Sequence, residues 1–153
     1  MILFLGLLFM LFFFTFIGTL SRSFMMLMDL PSALLIFASL LFFLLVSRSG
    51  KIIGKYISIS FKRNYTYTKT ELVQLSSAIR NTIKFILAVG GFCFIASAVI
   101  SLGHIGSPER LGPNLAMSLI TLTYSIAVGF FVFFPTLAWA ENKINAMKDD
   151  VLR

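Results

Sequence analysis

Long charge-free apolar runs alternate with charged stretches along this chain. Ile2 to Leu20, Pro31 to Ser47, Ile86 to Leu102 and Leu115 to Ala140 contain no charged residue. About 20 helical residues cross a hydrocarbon layer roughly 30 Å thick. Each run is close to that length. The apolar positions are continuous, which excludes the alternating pattern of a membrane β-barrel. Met28 and Phe85 extend the two shorter runs, and Lys84 can snorkel beside the third. The fourth run, 26 residues, is about 39 Å long as a helix and is expected to tilt or project. The pattern predicts membrane spans over about 2–20, 29–47, 84–102 and 115–140. The first is expected to be a retained span and not a cleaved leader. No basic region precedes it and no A-x-A site follows it.

The connections carry pattern of their own. Ile52, Ile53, Tyr56, Ile57, Ser60 and Phe61 recur at helical spacing, with Lys51, Lys55 and Lys62 between them. The second span is therefore expected to run on into an amphipathic helix. Thr68-Lys69-Thr70-Glu71 has the form of a capping box. Leu72, Leu75, Ile79 and Ile83 follow on one face, and no Pro or Gly interrupts Glu71 to Val89. One continuous helix is predicted from Lys69 through the third span to Leu102. His104 to Pro113 reads as a turn-rich connection. The whole of 1–153 is then one four-span domain, with a helical loop at 48–83 and a tail at 141–153.

Composition narrows the class. The chain is 58% hydrophobic and 12% charged, with 18 Phe and a mean hydropathy of +0.94. A soluble domain is nearer half apolar and a quarter charged, so an ordinary soluble globule and a disordered chain are excluded. One cysteine, Cys93, forbids an intramolecular disulfide, and with one His a zinc cage built from this chain alone is out of reach. The net charge of +7 is concentrated: eight of the 13 basic residues lie within 48–84, and Lys143, Lys148 and Arg153 follow the last run. The other connections hold only Arg22 and Arg110. The excess of Lys and Arg marks the cytoplasmic side. The expected fold is an all-α membrane protein: four transmembrane helices with long cytoplasmic helix extensions and both termini cytoplasmic. The charge flanks membrane runs, so it is not read as a nucleic-acid footprint.

Candidate chemistry is sparse. Asp29, Glu109 and Glu141 stand at the ends of runs, and no acid lies inside one. A proton or cation relay in a membrane usually needs a buried carboxylate or His, so a partner would have to supply it. Ser118, Thr121 and Ser125 fall on one stripe of the fourth run with Gly129 a turn on, and Ser97 and Ser101 make a shorter stripe near Gly90 and Gly91. Two readings stand side by side: close helix packing through small residues, or a hydroxyl lining for an ion or a partner helix. Thr123 lies about 200° around the helix from Thr121 and cannot share its path. Pro135 is expected to break the hydrogen-bond ladder and kink the helix near Phe131. Trp139 reads as an interfacial anchor, His104 as a loop residue, and Cys93 as an unreactive span residue. No catalytic triad, glycine-rich phosphate loop or carboxylate pair is present, so an enzyme is not expected and no cofactor or metal is predicted.

Three stretches resemble the A subunits of flagellar stators, the MotA/PomA family within the MotA/TolQ/ExbB group. Asp29-Leu30-Pro31-Ser32 is similar to the family's D-x-P-S at the start of the second span. Ser107-Pro108-Glu109-Arg110-Leu111-Gly112-Pro113, followed by Leu115-Ala116, resembles its D-P-x-x-[LI]-G-P-x-[ML]-A external loop. Phe133-Phe134-Pro135 resembles its F-F-P before the cytoplasmic exit. From Gly112 to Pro135 the match needs no gap. Four spans fit this branch better than the three of TolQ and ExbB. The chain departs from the family in its cytoplasmic loop, which lacks the large rotor-engaging helical domain. The family's third-span proline and threonine fall on Leu87 and Phe94, and its fourth-span threonine falls on Leu122, between Thr121 and Thr123. Cys93, Ser97 and Ser125 stand where the family has glycine.

The resemblance implies a homo-oligomeric, multi-pass protein of the bacterial inner membrane. It implies a pentameric ring around single-span B-type helices, whose subunits bring the ion-binding Asp and a periplasmic domain. The residues expected near the ion path or the partner helices are Phe94, Ser97, Ser118, Thr121, Leu122, Ser125 and Gly129, with Pro135 as the kink and Asp29, Pro31, Ser32, Pro108, Gly112 and Pro113 as signature positions. The expected function is ion-motive-force-driven rotation. The alternatives are a non-conducting structural or regulatory oligomer on the same fold, which Phe94 and Leu122 favour, and a holin-like pore. The orientation is directly testable. A phosphatase reporter fused after Gly106 is expected to be active. The same reporter after Arg153 is expected to be inactive, with a fluorescent-protein fusion there bright; the reverse pattern would overturn the charge argument.

Overall fold

The computed structural model describes residues 2–21, 29–60, 66–103 and 108–149. These form α1 (Ile2–Ser21), α2 (Leu30–Val46), α3 (Ser49–Ser60), α4 (Lys69–Leu102), α5 (Pro108–Ala127) and α6 (Phe134–Asp149), with a π-helical segment at Val128–Phe133 joining the last two. No strand occurs among the described residues. The connection at 104–107, the loop positions Phe61 and Lys62, the tail from 150 and the side chain of Pro108 lie outside the description. Two helical runs, α4 and Leu111–Lys148, are long and apolar enough to cross a membrane. The bent pair of α2 and α3 makes a third if it is one broken span, and the apolar stretch Phe4–Thr19 of α1 is shorter. The architecture is that of an all-helical membrane protein.

α4 forms as its sequence predicts. Thr68, in extended backbone, accepts a hydrogen bond from the Glu71 N–H at 3.4 Å, and the Thr68 N–H donates to Glu71 Oε2 at 3.2 Å. This reciprocal cap satisfies two of the free donors at the helix start. The 34 residues that follow extend roughly 51 Å, well beyond a hydrocarbon layer. Leu72, Leu75, Ile79 and Ile86 are buried along one face. They meet Ile53 and Tyr56 of α3 and Phe133, Leu137 and Ala140 of the last helical run in one apolar core.

α2 does not run on into α3. Ser47 N–H closes onto Phe43 O at 2.9 Å, Arg48 adopts a φ of 56°, and the two helix axes differ by 95°. Gly50 then rests against the Leu44 carbonyl, where a Cβ would come to 2.7 Å. Turning back lets α3 bury Ile53 and Tyr56 in the common core and pair Lys55 with Glu71 of α4 at 2.9 Å. A straight extension would carry that apolar face away from the core. The start of the fourth run also differs from expectation. Pro108 to Pro113 are helical rather than turns. Pro108 suits the first helical position, where no N–H is needed; Pro113 loses one hydrogen bond, to the Glu109 carbonyl, without ending the helix.

Pro135 perturbs its helix in the expected place and by an identifiable means. Without an N–H, Pro135 cannot bond the Phe131 carbonyl, and its ring crowds that group. The ladder widens into the π segment, where the Phe134 N–H donates to Gly129 O. α1 packs on this segment: a Cβ on Gly6 would collide with the Phe131 carbonyl, and Phe9 and Phe13 lie 5.6 and 5.0 Å from the Phe131 ring.

Further from the core, α4 and α5 approach through small residues. A Cβ on Gly90 would overlap Ser125 Oγ and Cβ, whereas one on Gly91 would meet nothing within 4 Å. Gly90→Ala is therefore expected to destabilise the detergent-solubilised protein by about 1–3 kcal/mol, the usual effect of overpacking. Gly91→Ala is expected to be neutral or slightly stabilising, because Ala is the better helix former. Chemical denaturation of the two variants side by side checks both.

Candidate functional site

The first signature stretch builds the start of α2. Asp29 is the N-cap, with φ −94° and ψ 98°. Its Oδ2 accepts from the Ser32 N–H at 3.2 Å and from the Ser32 hydroxyl. Pro31 sits in the first turn, where its missing donor is harmless. Asp and Ser three apart thus do local work: the carboxylate satisfies a free helix donor.

Ser32 carries that cap across to another helix. Its Oγ lies 2.8 Å from Thr121 Oγ1 of α5, and both residues are buried. A serine hydroxyl has one proton. With that proton directed at the Asp29 carboxylate, Thr121 is the donor to Ser32. Thr121 Oγ1 also stands 3.2 Å from Met117 O. The Asp29 N–H donates to the Tyr124 hydroxyl at 3.3 Å, and the Tyr124 ring stacks on Phe14 of α1, centroids 5.8 Å apart. One carboxylate, two hydroxyls and a phenol therefore bind α1, α2 and α5 together. Beside them opens a cleft of about 350 Å³, lined by Asp29, Ser32 and Thr121 with Cys93, Ser97 and Phe92 of α4. Asp29 Oδ2 is already engaged by the Ser32 N–H and hydroxyl, so the cleft is a mostly apolar space beside a capped carboxylate.

The other candidate positions divide into two sets. Ser118 and Ser125 are fully buried within the chain and donate to Asn114 O at 2.9 Å and Thr121 O at 3.0 Å. Gly129 is buried, with Ile83 Cγ2 3.8 Å from where its Cβ would be. Ser125 and Gly129 face α4 of their own chain, at Gly90 and Ile83. Leu122 and Phe94 are half-buried, and Leu122 stands one residue from the cleft-lining Thr121. Ser97 is half-buried in the cleft wall, and its carbonyl accepts from Ser101 at 2.8 Å. Thr123 points to the exposed side and bonds Leu119 O at 2.8 Å. Cys93, read as inert, also reaches the cleft. Gly112, Pro113 and Pro135 are exposed.

Two parts of the site escaped the sequence reading. Tyr124 carried no motif, and its position beside Asp29 depends on how α5 rotates against α2. Asp29 was legible as a cap through its spacing to Ser32, but its link to Thr121 spans 89 residues from Ser32 and leaves no local pattern. No family model, curated protein or solved structure matches the chain.

The Ser32–Thr121 hydrogen bond is testable by a double-mutant cycle. Ser32→Ala and Thr121→Val, measured singly and together by denaturation in detergent, are expected to couple by about 0.6 kcal/mol and at most about 1.7 kcal/mol, the range for interhelical hydrogen bonds in membranes. Strict additivity would show that the two hydroxyls do not interact.

Proposed function

We propose that this chain is the A-type subunit of an ion-motive-force-driven, stator-like rotary complex of the bacterial inner membrane. In this reading α1, α2, α4 and the α5–α6 run are four spans with both termini cytoplasmic. A pentameric ring surrounds single-span B-type helices that bring the ion-binding Asp. The observation that carries the reading is the joint placement of the stretches that resemble stator A subunits. In the helix begun by the second stretch, Ser32 of the first hydrogen-bonds Thr121 and the Asp29 N–H donates to Tyr124, and Phe133-Phe134-Pro135 forms and follows the π segment. Support also comes from the acids: in α4 and the α5–α6 run the described acidic side chains, Glu71 and Glu141, stand outside the charge-free stretches. An ion crossing this bundle would depend on a partner's carboxylate. The exposed Phe92, Ile95 and Val99 of α4 offer an apolar face to a neighbouring helix or to lipid.

A second reading, a non-conducting structural or regulatory oligomer, is favoured by one observation. Ser125 and Gly129 are buried against α4 of their own chain, which withdraws part of the hydroxyl stripe from any path between subunits. Proton flux into vesicles holding the protein together with a stator B-type subunit separates the two. Flux that disappears when the partner's span Asp becomes Asn is expected for the motor. A well-assembled ring without flux would establish the second reading, and leakage from the chain expressed alone would establish a pore.

A further inference from the structure

The bend between α2 and α3 places two unlike surfaces side by side. The last turns of α2 present Phe42, Leu45 and Val46, the latter two 82% and 67% exposed. Immediately beyond, Arg48 and Lys51 are exposed. Leu45 and Val46 are among the most exposed apolar side chains of the protein, a cost in water and none against an acyl chain. The change from bare apolar to cationic surface takes place within three residues, the spacing at which acyl chains give way to phosphate in a lipid leaflet.

Two further observations concern the charges. Among the described side chains, Glu71 and Glu141 are the acids at this end, and they are paired with Lys55 and Arg80. Lys143 lies over the rings of Tyr67 and Trp139, at 5.5 and 5.4 Å. Arg48 and Lys51 have no counter-ion among the described side chains. Arg48 also holds a φ of 56°, a conformation that Gly or Asn adopts at less expense. A long cation at a position whose backbone favours a small residue points to a use for the side chain itself.

We propose that this bend seats an anionic phospholipid, with its acyl chains along Phe42, Leu45 and Val46 and its headgroup phosphate held by Arg48 and Lys51. α3, turned 95° from α2 and packed on α4 by Ile53 and Tyr56, lies along the membrane surface and keeps Lys51 at headgroup level. The seat is independent of ion-driven rotation, because it requires only that α2 lie in a bilayer.

The test is native mass spectrometry of the intact protein, released from nanodiscs of mixed phosphatidylglycerol and phosphatidylcholine. Retained lipid is expected to be enriched in phosphatidylglycerol. Each of Arg48→Gln and Lys51→Gln is expected to lower that enrichment about five-fold, the effect of one basic residue at an anionic surface, and Lys51→Arg to preserve it. Lys148→Gln, on the tail helix, is expected to leave it unchanged. Lys51 is exposed, so its variants test the seat even if Arg48→Gln fails to fold. Equal retention of the two lipids, or enrichment untouched by Lys51→Gln, would overturn the proposal. So would displacement of the lipid by inorganic phosphate, which would mark a simple anion site.

Discussion

Lipid is a solvent in which apolar side chains gain little by touching each other rather than acyl chains. Helices there associate through close fit and hydrogen bonds, and close fit needs small residues at the crossing. In this protein that constraint is met at Gly90, against which Ser125 lies too near for any Cβ. The contact sets how deeply α5 sits against α4. It also fixes the rotation of α5, so that Ser118, Thr121 and Ser125 turn inward together. Ser118 and Ser125 are then each satisfied by a carbonyl one turn back in their own helix, so burying them leaves no orphaned donor. Thr121 instead hydrogen-bonds Ser32, and that contact ties α2 to α5.

The two ends of the bundle are held differently. Near α3 the protein has a core like that of a soluble domain. Leu72, Leu75 and Ile79 face Ile53, Tyr56 and Leu137, and the aromatic rings of Tyr56, Tyr67 and Trp139 group within 6 Å. In the proposed orientation this end meets water, where the hydrophobic effect acts and large side chains suffice. Trp139 joins this cluster and, with Tyr67, receives Lys143 on its face. An amphipathic ring at a membrane boundary can pack on one side and meet a cation on the other. At the opposite end the Asp29 network replaces such a core with hydrogen bonds, and the neighbouring cleft is the space that small residues and a proline leave open.

Local physics was readable wherever a signal and its partner lie within one turn. The Thr68–Glu71 cap, the uninterrupted α4 and the disturbance ahead of Pro135 all belong to this kind. The bend at Ser47–Arg48 was not readable. The helical period continues through Ile52, Ile53 and Tyr56, and what ends α2 is the gain from folding α3 onto residues 72–79, more than 20 positions away. Pro108 to Pro113 misled for a related reason. Pro and Gly weaken a helix, yet the helix that follows, long and packed, carries them as its first turns.

The candidate site shows the same division. The residue types were legible: hydroxyls at a period of three to four, an acid three residues before a serine, and acids kept out of the apolar runs. Their directions were not. A stripe on a helix has the same spacing whether it faces a partner, an ion or its own neighbour, and only the Gly90 contact turns Ser125 toward α4. By itself the sequence determined a helical membrane protein, the ends of α4 and a disturbed ladder near Phe131, because those follow from hydropathy, caps and a missing N–H. The tertiary structure alone decided that α3 turns back and that Asp29, Ser32, Thr121 and Tyr124 form one network. Those outcomes depend on contacts between segments far apart in the chain, whose relative rotation no local pattern encodes.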